Sequence, residues 1–312
     1  EECLAERPGA GFQPVPADGA APAHLYYTSG TTGRPKGVMY HHRGAYLNAL
    51  GEVLEAGLNH TSKYLWTLPM FHCNGWCFTW AVTAVGGTHI CLRQVVVEEI
   101  YRMIEKENVS HLCAAPTVLI AMSSFSKAED VKLKRKIEIL TAAAPPAPTT
   151  IQNMEEIGAN ITHVYGLTEV YGPHSVCAWQ SDWDKLPPEE RALKKSRQGV
   201  PYIVVQHMDV VDSETMNPVP RDGKTIGEIV MRGNNVMLGY YKDTAATDEA
   251  FKGGWFHSGD LMEQSADGHF HMVDRKKEIY KNVKGETIAP QRVENLFRDF
   301  ESISTVFLVG DH

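Results

Sequence analysis

Tyr27-Thr28-Ser29-Gly30-Thr31-Thr32-Gly33-Arg34-Pro35-Lys36-Gly37 is the stretch around which the rest of the chain can be ordered. Residues 28–37 hold three glycines, four hydroxyl side chains and one lysine. Glycines let backbone N–H groups approach a phosphate chain closely, hydroxyls add donors, and Lys36 supplies a point charge. The string is not a G-x-x-x-x-G-K-[ST] loop. Taken alone, these residues leave open a polar Gly/Thr loop of no special purpose, which is the commoner case.

Outward from this loop, short apolar runs alternate with helical patterns. Strands are predicted at 24–27, 64–68, 88–92, 111–114, 137–141 and 161–164, with helices at 43–58, 97–107 and 149–157. That alternation predicts an α/β layered fold with largely parallel sheets. Residues 8–22, with four prolines, read as an irregular lead-in. After about Gly199 the character changes. Runs at 204–211, 227–231 and 270–273 are bounded by Asp, Gly, Asn and Pro and read as a smaller antiparallel, barrel-like subdomain. A dense charge cluster, Asp274-Arg275-Lys276-Lys277-Glu278, suits a hinge or exposed turn, and 290–300 reads as a helix with proline in its first turn. The expected division is 1–200 for the α/β part, 201–275 for the β-rich part, and 276–312 for the start of a mobile C-terminal α+β lobe.

The chain has 312 residues and a net charge of −8, which argues against a nucleic-acid partner more than against a nucleotide. Six cysteines (Cys3, Cys73, Cys77, Cys91, Cys113 and Cys177) lack the paired spacings of a zinc ribbon. Reduced thiols and a cytoplasmic setting are the simpler reading. No apolar run approaches the roughly 18 residues of a membrane span. Glu1 is not a methionine, and 304–310 reads as a strand that stops where another element should follow, so a fragment is expected.

Four further segments carry chemistry. In Tyr165-Gly166-Leu167-Thr168-Glu169, the carboxylate could hold Mg2+, the Thr168 hydroxyl could donate to a phosphate oxygen, and Tyr165 offers a flat face. In Trp255-Phe256-His257-Ser258-Gly259-Asp260, the acid could accept both hydroxyls of a ribose. Asp274-Arg275-Lys276-Lys277 is a basic turn, and Ala142-Ala143-Ala144-Pro145 is a small-residue run into proline. Each alone could be a strand end or a solvated turn. His72, in Pro69-Met70-Phe71-His72, could equally be structural, and Trp76, Phe78 and Trp80 could line a cavity or fill the core.

Together these segments resemble, in order, the motifs of the adenylate-forming superfamily of acyl-CoA synthetases, nonribosomal adenylation domains and luciferases. The loop matches T-S-G-T-T-G-x-P-K-G, with Arg34 at the variable position. The others match Y-G-x-T-E, W-x-x-[ST]-G-D, [GD]-R-x-[KD] and P-x-[FH]-H. The likeness runs from about Leu25 to the end. It is greatest to fatty-acyl-CoA ligases: 71–80 and 164–261 are similar to short- and medium-chain enzymes, and 274–295 to long-chain ones. The resemblance implies ATP-dependent activation of a carboxylic acid, expected to be a fatty acid, to an acyl-adenylate, then transfer to coenzyme A. ATP, Mg2+ and coenzyme A are the implied cofactors. It implies nucleotide contacts at Thr28, Ser29, Gly30, Thr31, Thr32, Gly33, Lys36, Ala144, Pro145, Tyr165, Gly166, Thr168, Asp260 and Arg275. It implies catalytic roles for Lys36, His72, Thr168 and Glu169, an acyl pocket at His72, Trp76 and Gly166, the metal at Glu169, and a hinge at Lys277. The family's late lysine, in a Pro-x-[TS]-x-x-G-K segment, has no counterpart here. An adenylation domain serving a carrier protein, a luciferase-like relative and a catalytically incomplete nucleotide-binding module are the alternatives.

Overall fold

Runs such as Tyr64-Leu65-Trp66, Leu112-Cys113-Ala114 and Ile137-Glu138-Ile139-Leu140 are almost continuously apolar, as suits strands covered on both faces. The computed structural model describes residues 18–28, 35–278, 280–281, 287–295, 297, 306 and 308. Its first elements are β1 (Pro22–Tyr27), β2 (Gly37–His41), α1 (His42–Glu55), β3 (Lys63–Trp66), α2 (Phe78–Ala84) and β4 (Thr88–Cys91). Then come α3 (Val97–Glu107), β5 (His111–Ala114), α4 (Pro116–Glu129), β6 (Ile137–Thr141), α5 (Pro148–Glu156), β7 (Ala159–Leu167), β8 (Gly172–Val176), α6 (Pro188–Lys195) and β9 (Val200–Pro201). The remainder is β10 (His207–Val211), β11 (Gly227–Arg232), β12 (Gly239–Tyr240), α7 (Thr244–Ala250), β13 (Phe256–Gln264), β14 (Phe270–Arg275) and α8 (Pro290–Asn295), with a two-residue pair at Tyr280–Lys281 and Thr287–Ile288.

A seven-stranded sheet has the order β4-β3-β5-β6-β7-β8-β9 and is parallel from β4 through β7. From β7 onward the pairing turns antiparallel. Helix ends follow local chemistry. Pro116, Pro148 and Pro188 open α4, α5 and α6, where a missing N–H costs nothing. Asn108 and Asp130 close α3 and α4 in the left-handed conformation. Helix α1 stops at Glu55 rather than at 58. Gly57, with φ 66°, lets the Leu58 N–H reach Val53 O and its own N–H reach Leu54 O, which is a Schellman stop.

Two other expectations change. The strand at 24–27 belongs not to the parallel sheet but to a three-stranded antiparallel one, β1-β2-β12. Only nine residues, 28–36, join β1 to β2, and a parallel crossover needs a dozen or more. The run at 204–211 shortens to His207–Val211, because the Val205 N–H turns back onto Tyr202 O at 2.9 Å. A second antiparallel sheet, β10-β11-β13-β14, accounts for the β-rich stretch. The strand expected at 304–310 falls mostly outside the described residues.

One core lies between the parallel strands and α3–α5, around Ile100, Ile104, Leu112, Leu119, Ile139 and Ile151. The other joins the sheets to one another through Tyr40, Phe78, Tyr171, Tyr202, Ile229 and Phe256. It also buries polar groups. The Asn48 amide donates to Tyr171 O (3.3 Å), the Asn235 amide reaches Asn48 Oδ1 and His174 Nδ1 (both 3.2 Å), and Glu52 accepts from the Tyr202 hydroxyl (3.1 Å). Burial pushes Glu52 well above the usual carboxylate range.

Burial also depresses His163 to about 4 and His174 to about 3, from 6.5. A histidine lowered in the folded state takes up its proton first in the unfolded chain. Its stabilisation is therefore complete above pH 6.5 and is lost as pH falls toward those values. Unfolding free energy from urea titrations is expected to fall between about pH 6.5 and 4.5, each imidazole contributing up to about 1.4 kcal/mol per pH unit. His174→Gln should flatten that slope by about one proton; an unchanged slope contradicts the assignment.

Candidate functional site

In open α/β sheets, ligands gather outside the carboxyl ends of the parallel strands, near the point where the strand pattern changes. Here that point is the end of β7, which carries Tyr165, Gly166 and Leu167 before a single 3-10 turn, Thr168–Val170. The hairpin into β8 is very tight. A Cβ on Gly166 would lie 1.6 Å from Gly172 O, so only glycine fits there. The register shift between Tyr165 and Gly166 is a bulge, a feature that re-aims the side chains beside it.

Segments from the seven-, three- and four-stranded sheets gather around this turn. The buried Tyr40 of β2 donates its hydroxyl to Thr168 O at 2.5 Å. The Cys73 thiol meets Thr168 Oγ1 at 3.5 Å. The Tyr240 hydroxyl donates to Glu169 Oε1 at 2.9 Å, and the Lys36 ammonium lies 4.7 Å from the centroid of the same Tyr240 ring. The Tyr165 hydroxyl donates to Asp260 Oδ2 at 2.6 Å. Arg275, the register partner of Asp260 across β13 and β14, brings its Nε to 3.8 Å from Asp260 Oδ1. Lys36 and Glu169 thus meet through Tyr240, and Tyr165, Asp260 and Arg275 through direct contacts, with Thr168 between the two groups along the chain. Thr28 and Lys36 close the neck of the glycine-rich loop through an N–H to O bond of 3.0 Å. Ser29, Gly30, Thr31, Thr32 and Gly33 lie outside the described residues.

Burial raises Asp260 to about 6 from 3.8, with Tyr165 and Arg275 opposing the shift and Glu169 and Glu278 adding to it. Burial, and then the Asp260 charge, push the Tyr165 phenol well above its usual range, so it stays a donor. Asp260 is therefore a buried acid with few donors, suited to a ligand that brings hydroxyls of its own.

The remaining expected residues flank this centre. Ala144 and Pro145 leave the carboxyl end of β6, the strand paired with β7, after Ala143 in a left-handed conformation (φ 85°). His72 is exposed beside Phe71, ring centroids 4.6 Å apart, and begins an unusual turn. Cys73, Asn74, Trp76 and Cys77 have φ of 45°, 48°, 53° and 65°, a left-handed run that also includes Gly75. Each such non-glycine residue costs about 1–2 kcal/mol. The turn is held by the Cys77 thiol on Tyr171 O (3.1 Å), the Asn74 amide on Thr79 Oγ1 (2.9 Å), and the packing of Gly75 on Trp66. Trp76 lies against Gly172, where an added Cβ would meet its Cα at 3.1 Å. Lys277 is exposed in a turn closed by Glu278 N–H on Arg275 O at 2.9 Å.

Sequence reasoning missed Tyr40 and Tyr240. The available signal was an aromatic directly after Gly239, at a position where a side chain would strike Thr247 at 2.7 Å. Among the described residues no three His, Cys, Asp or Glu side chains cluster as a metal cage. A single carboxylate such as Glu169 instead fits Mg2+ shared with phosphate oxygens, the usual mode for that cation.

A family model described as AMP-binding enzyme matches residues 1–241. The 4-hydroxybutyrate–CoA ligase 2 of Metallosphaera sedula is 52% identical over 286 residues, 92% of this chain and 52% of that protein. The peroxisomal acetate/butyrate–CoA ligase of Arabidopsis thaliana is 49% identical over 286 residues, 91% of this chain and 50% of that protein. The chain thus spans about half the length of these relatives. In fold it resembles O-succinylbenzoate coenzyme A synthetase of Bacillus subtilis in complex with AMP, with a TM-score of 0.80 at 24% identity, over 95% of this chain and 58% of that one. No helix among the described residues is long and apolar enough to cross a membrane.

The raised Asp260 sets a pH test. Its folded value of about 6 exceeds the unfolded 3.8, so its contribution is most favourable below 3.8 and is lost as pH rises through 6. Asp260→Asn is expected to gain stability over the parent at about pH 8, of the order of 2 kcal/mol, and to gain nothing near pH 4. Urea titrations showing a pH-independent difference would contradict this.

Proposed function

The chain belongs to the AMP-binding enzyme family, and from that premise we propose that it carries the nucleotide site of an acid–thiol ligase. The single observation that carries the reading is the junction around the end of β7, where Tyr240 lies against both Lys36 and Glu169, and Tyr165 bonds Asp260 beside Arg275. The reaction is attack of a carboxylate oxygen on the α-phosphorus of ATP, breaking the bond to the β-phosphate and releasing pyrophosphate. The coenzyme A thiol then attacks the acyl carbonyl, and AMP leaves. Positioning and charge neutralisation dominate such transfers.

In this reading the 28–37 loop and Lys36 take the β- and γ-phosphates, and Thr168 steadies the α-phosphate. Asp260 and Arg275 take the ribose, and Ala144, Pro145, Tyr165 and Gly166 border the adenine. Mg2+ would sit at Glu169, where it would offset phosphate charge. His72 and Trp76 border the acid, and Lys277 is the hinge between the two half-reactions. The division at 200 and 275 separates the α/β part from the β-rich part and from the start of the mobile lobe.

The acid we propose is a short-chain fatty acid. Its support is that the two relatives carry the names of 4-hydroxybutyrate and acetate/butyrate ligases. A reducing compartment such as the cytoplasm fits the free Cys73, Cys77, Cys91, Cys113 and Cys177, although the Arabidopsis relative is named as peroxisomal.

Carboxylate-dependent ATP–pyrophosphate exchange over acids of two to eight carbons tests this reading. Exchange is expected to peak among the shortest acids, and to fall at least about tenfold, roughly 1.4 kcal/mol, in both Lys36→Ala and Glu169→Ala. Exchange that is independent of the acid, or unaltered in both variants, contradicts it.

A further inference from the structure

Residues 237–241 form a clasp that spans the site. At one end the Met237 N–H donates to Glu169 O at 2.8 Å. At the other, the Leu238 N–H donates to Met39 O (2.9 Å) and the Tyr241 N–H to Gly37 O (2.7 Å), next to Lys36. The backbone of this short segment therefore fixes the spacing between the turn that bears the carboxylate and the strand that begins just after the lysine. Its fourth residue, Tyr240, repeats the bridge with its side chain. The Tyr240 hydroxyl bonds Glu169 and the Tyr240 ring faces Lys36.

The Tyr240 ring has little freedom to sit elsewhere. Tyr240 is 8% exposed, its N–H donates to Thr247 Oγ1 at 2.9 Å, and it pairs with Val38 across β12 and β2. Gly239, with φ 142°, lies so close to Thr247 that a Cβ would meet its Cγ2 at 2.7 Å. The phenol is the donor in its bond to the Glu169 carboxylate, which can only accept.

A lysine and a glutamate serving one ligand face a common hazard. If they pair directly, each cancels the charge the other needs to present. Among the described residues Lys36 and Glu169 form no ion pair, and Tyr240 stands between them. A ring face holds an ammonium by about 0.5–2 kcal/mol without neutralising it, less than a phosphate chain offers. A phenol hydroxyl occupies one carboxylate oxygen and fixes its plane while the carboxylate keeps its charge.

We propose that Tyr240 is a positioning residue of the nucleotide site: its ring presents Lys36 to phosphate, its hydroxyl orients Glu169 for the cation, and it keeps the two charges from pairing. The assignment rests on the ATP-binding reading above and adds a residue that none of the signature segments contains.

The test separates the ring from the hydroxyl by calorimetric titration of ATP into the protein, with excess EDTA and with Mg2+. Tyr240→Phe keeps the ring and loses the donor. Its ATP affinity in EDTA is expected within about twofold of the parent, while the gain in affinity on adding Mg2+ shrinks about five- to tenfold. Tyr240→Leu loses both contacts, and its ATP affinity in EDTA should fall about three- to thirtyfold as well. A merely structural role would lower affinity equally with and without Mg2+ in both variants, in step with the melting temperature, and would overturn the assignment. So would a Tyr240→Phe protein indistinguishable from the parent under both conditions. If the parent itself binds no ATP, the nucleotide reading falls and the assignment with it. Because Tyr240→Phe removes a single atom, it decides the matter even where Tyr240→Leu fails to fold.

Discussion

Three phenol hydroxyls hold the segments of the site in register: Tyr40 on Thr168 O, Tyr165 on Asp260 and Tyr240 on Glu169, at 2.5, 2.6 and 2.9 Å. Each joins a different pair of segments at the end of β7, where the seven-stranded sheet, the three-stranded sheet and the β10-β11-β13-β14 sheet meet. Tyrosine suits the task because its ring fills apolar space while one fixed donor projects from the far edge. Two of the three acceptors are carboxylates, and a neutral donor leaves their charge intact. A lysine or arginine in those places would have neutralised the groups it positioned.

The same site carries stored cost. Asp260 is buried with one phenol and a distant guanidinium, so its ionised form is less favourable than in water. The turn beginning at His72 holds four non-glycine residues in left-handed conformations. Both features persist only because their surroundings over-determine them: the polar core around Asn48, Tyr171 and Cys77 on one side, and the paired strands β13 and β14 on the other. Strain of this kind gathers where a protein meets a ligand, since the ligand supplies the missing partners.

Much of the parallel sheet was legible in the sequence, because Leu65, Leu112 and Ile139 lie in short apolar runs of the kind that suit a doubly covered strand. Tyr165–Glu169 and Trp255–Asp260 stood out only as ordered members of a set of family-like motifs, since each alone reads equally well as a strand end or a solvated turn. Less could be read where the physics is non-local or short. β12 is two residues long, too brief for any periodicity, and its tie to Glu169 crosses 71 residues of sequence. β2 lay hidden because the glycine-rich loop reads as one polar stretch, although Val38 and Tyr40 are fully buried. The left-handed turn at 73–77 follows from packing against Trp66 and Tyr171, which no local preference of Cys, Asn or Trp foretells.

The central claim is that one nucleotide engages the three larger sheets at once around the turn after β7. Amide hydrogen exchange with and without Mg2+ and ATP tests it directly. The account predicts that exchange slows together in residues 165–171, 237–241 and 256–262, with peptides of α3 and α4 unchanged. Slowing confined to one of those segments, or centred on the helices instead, would contradict it.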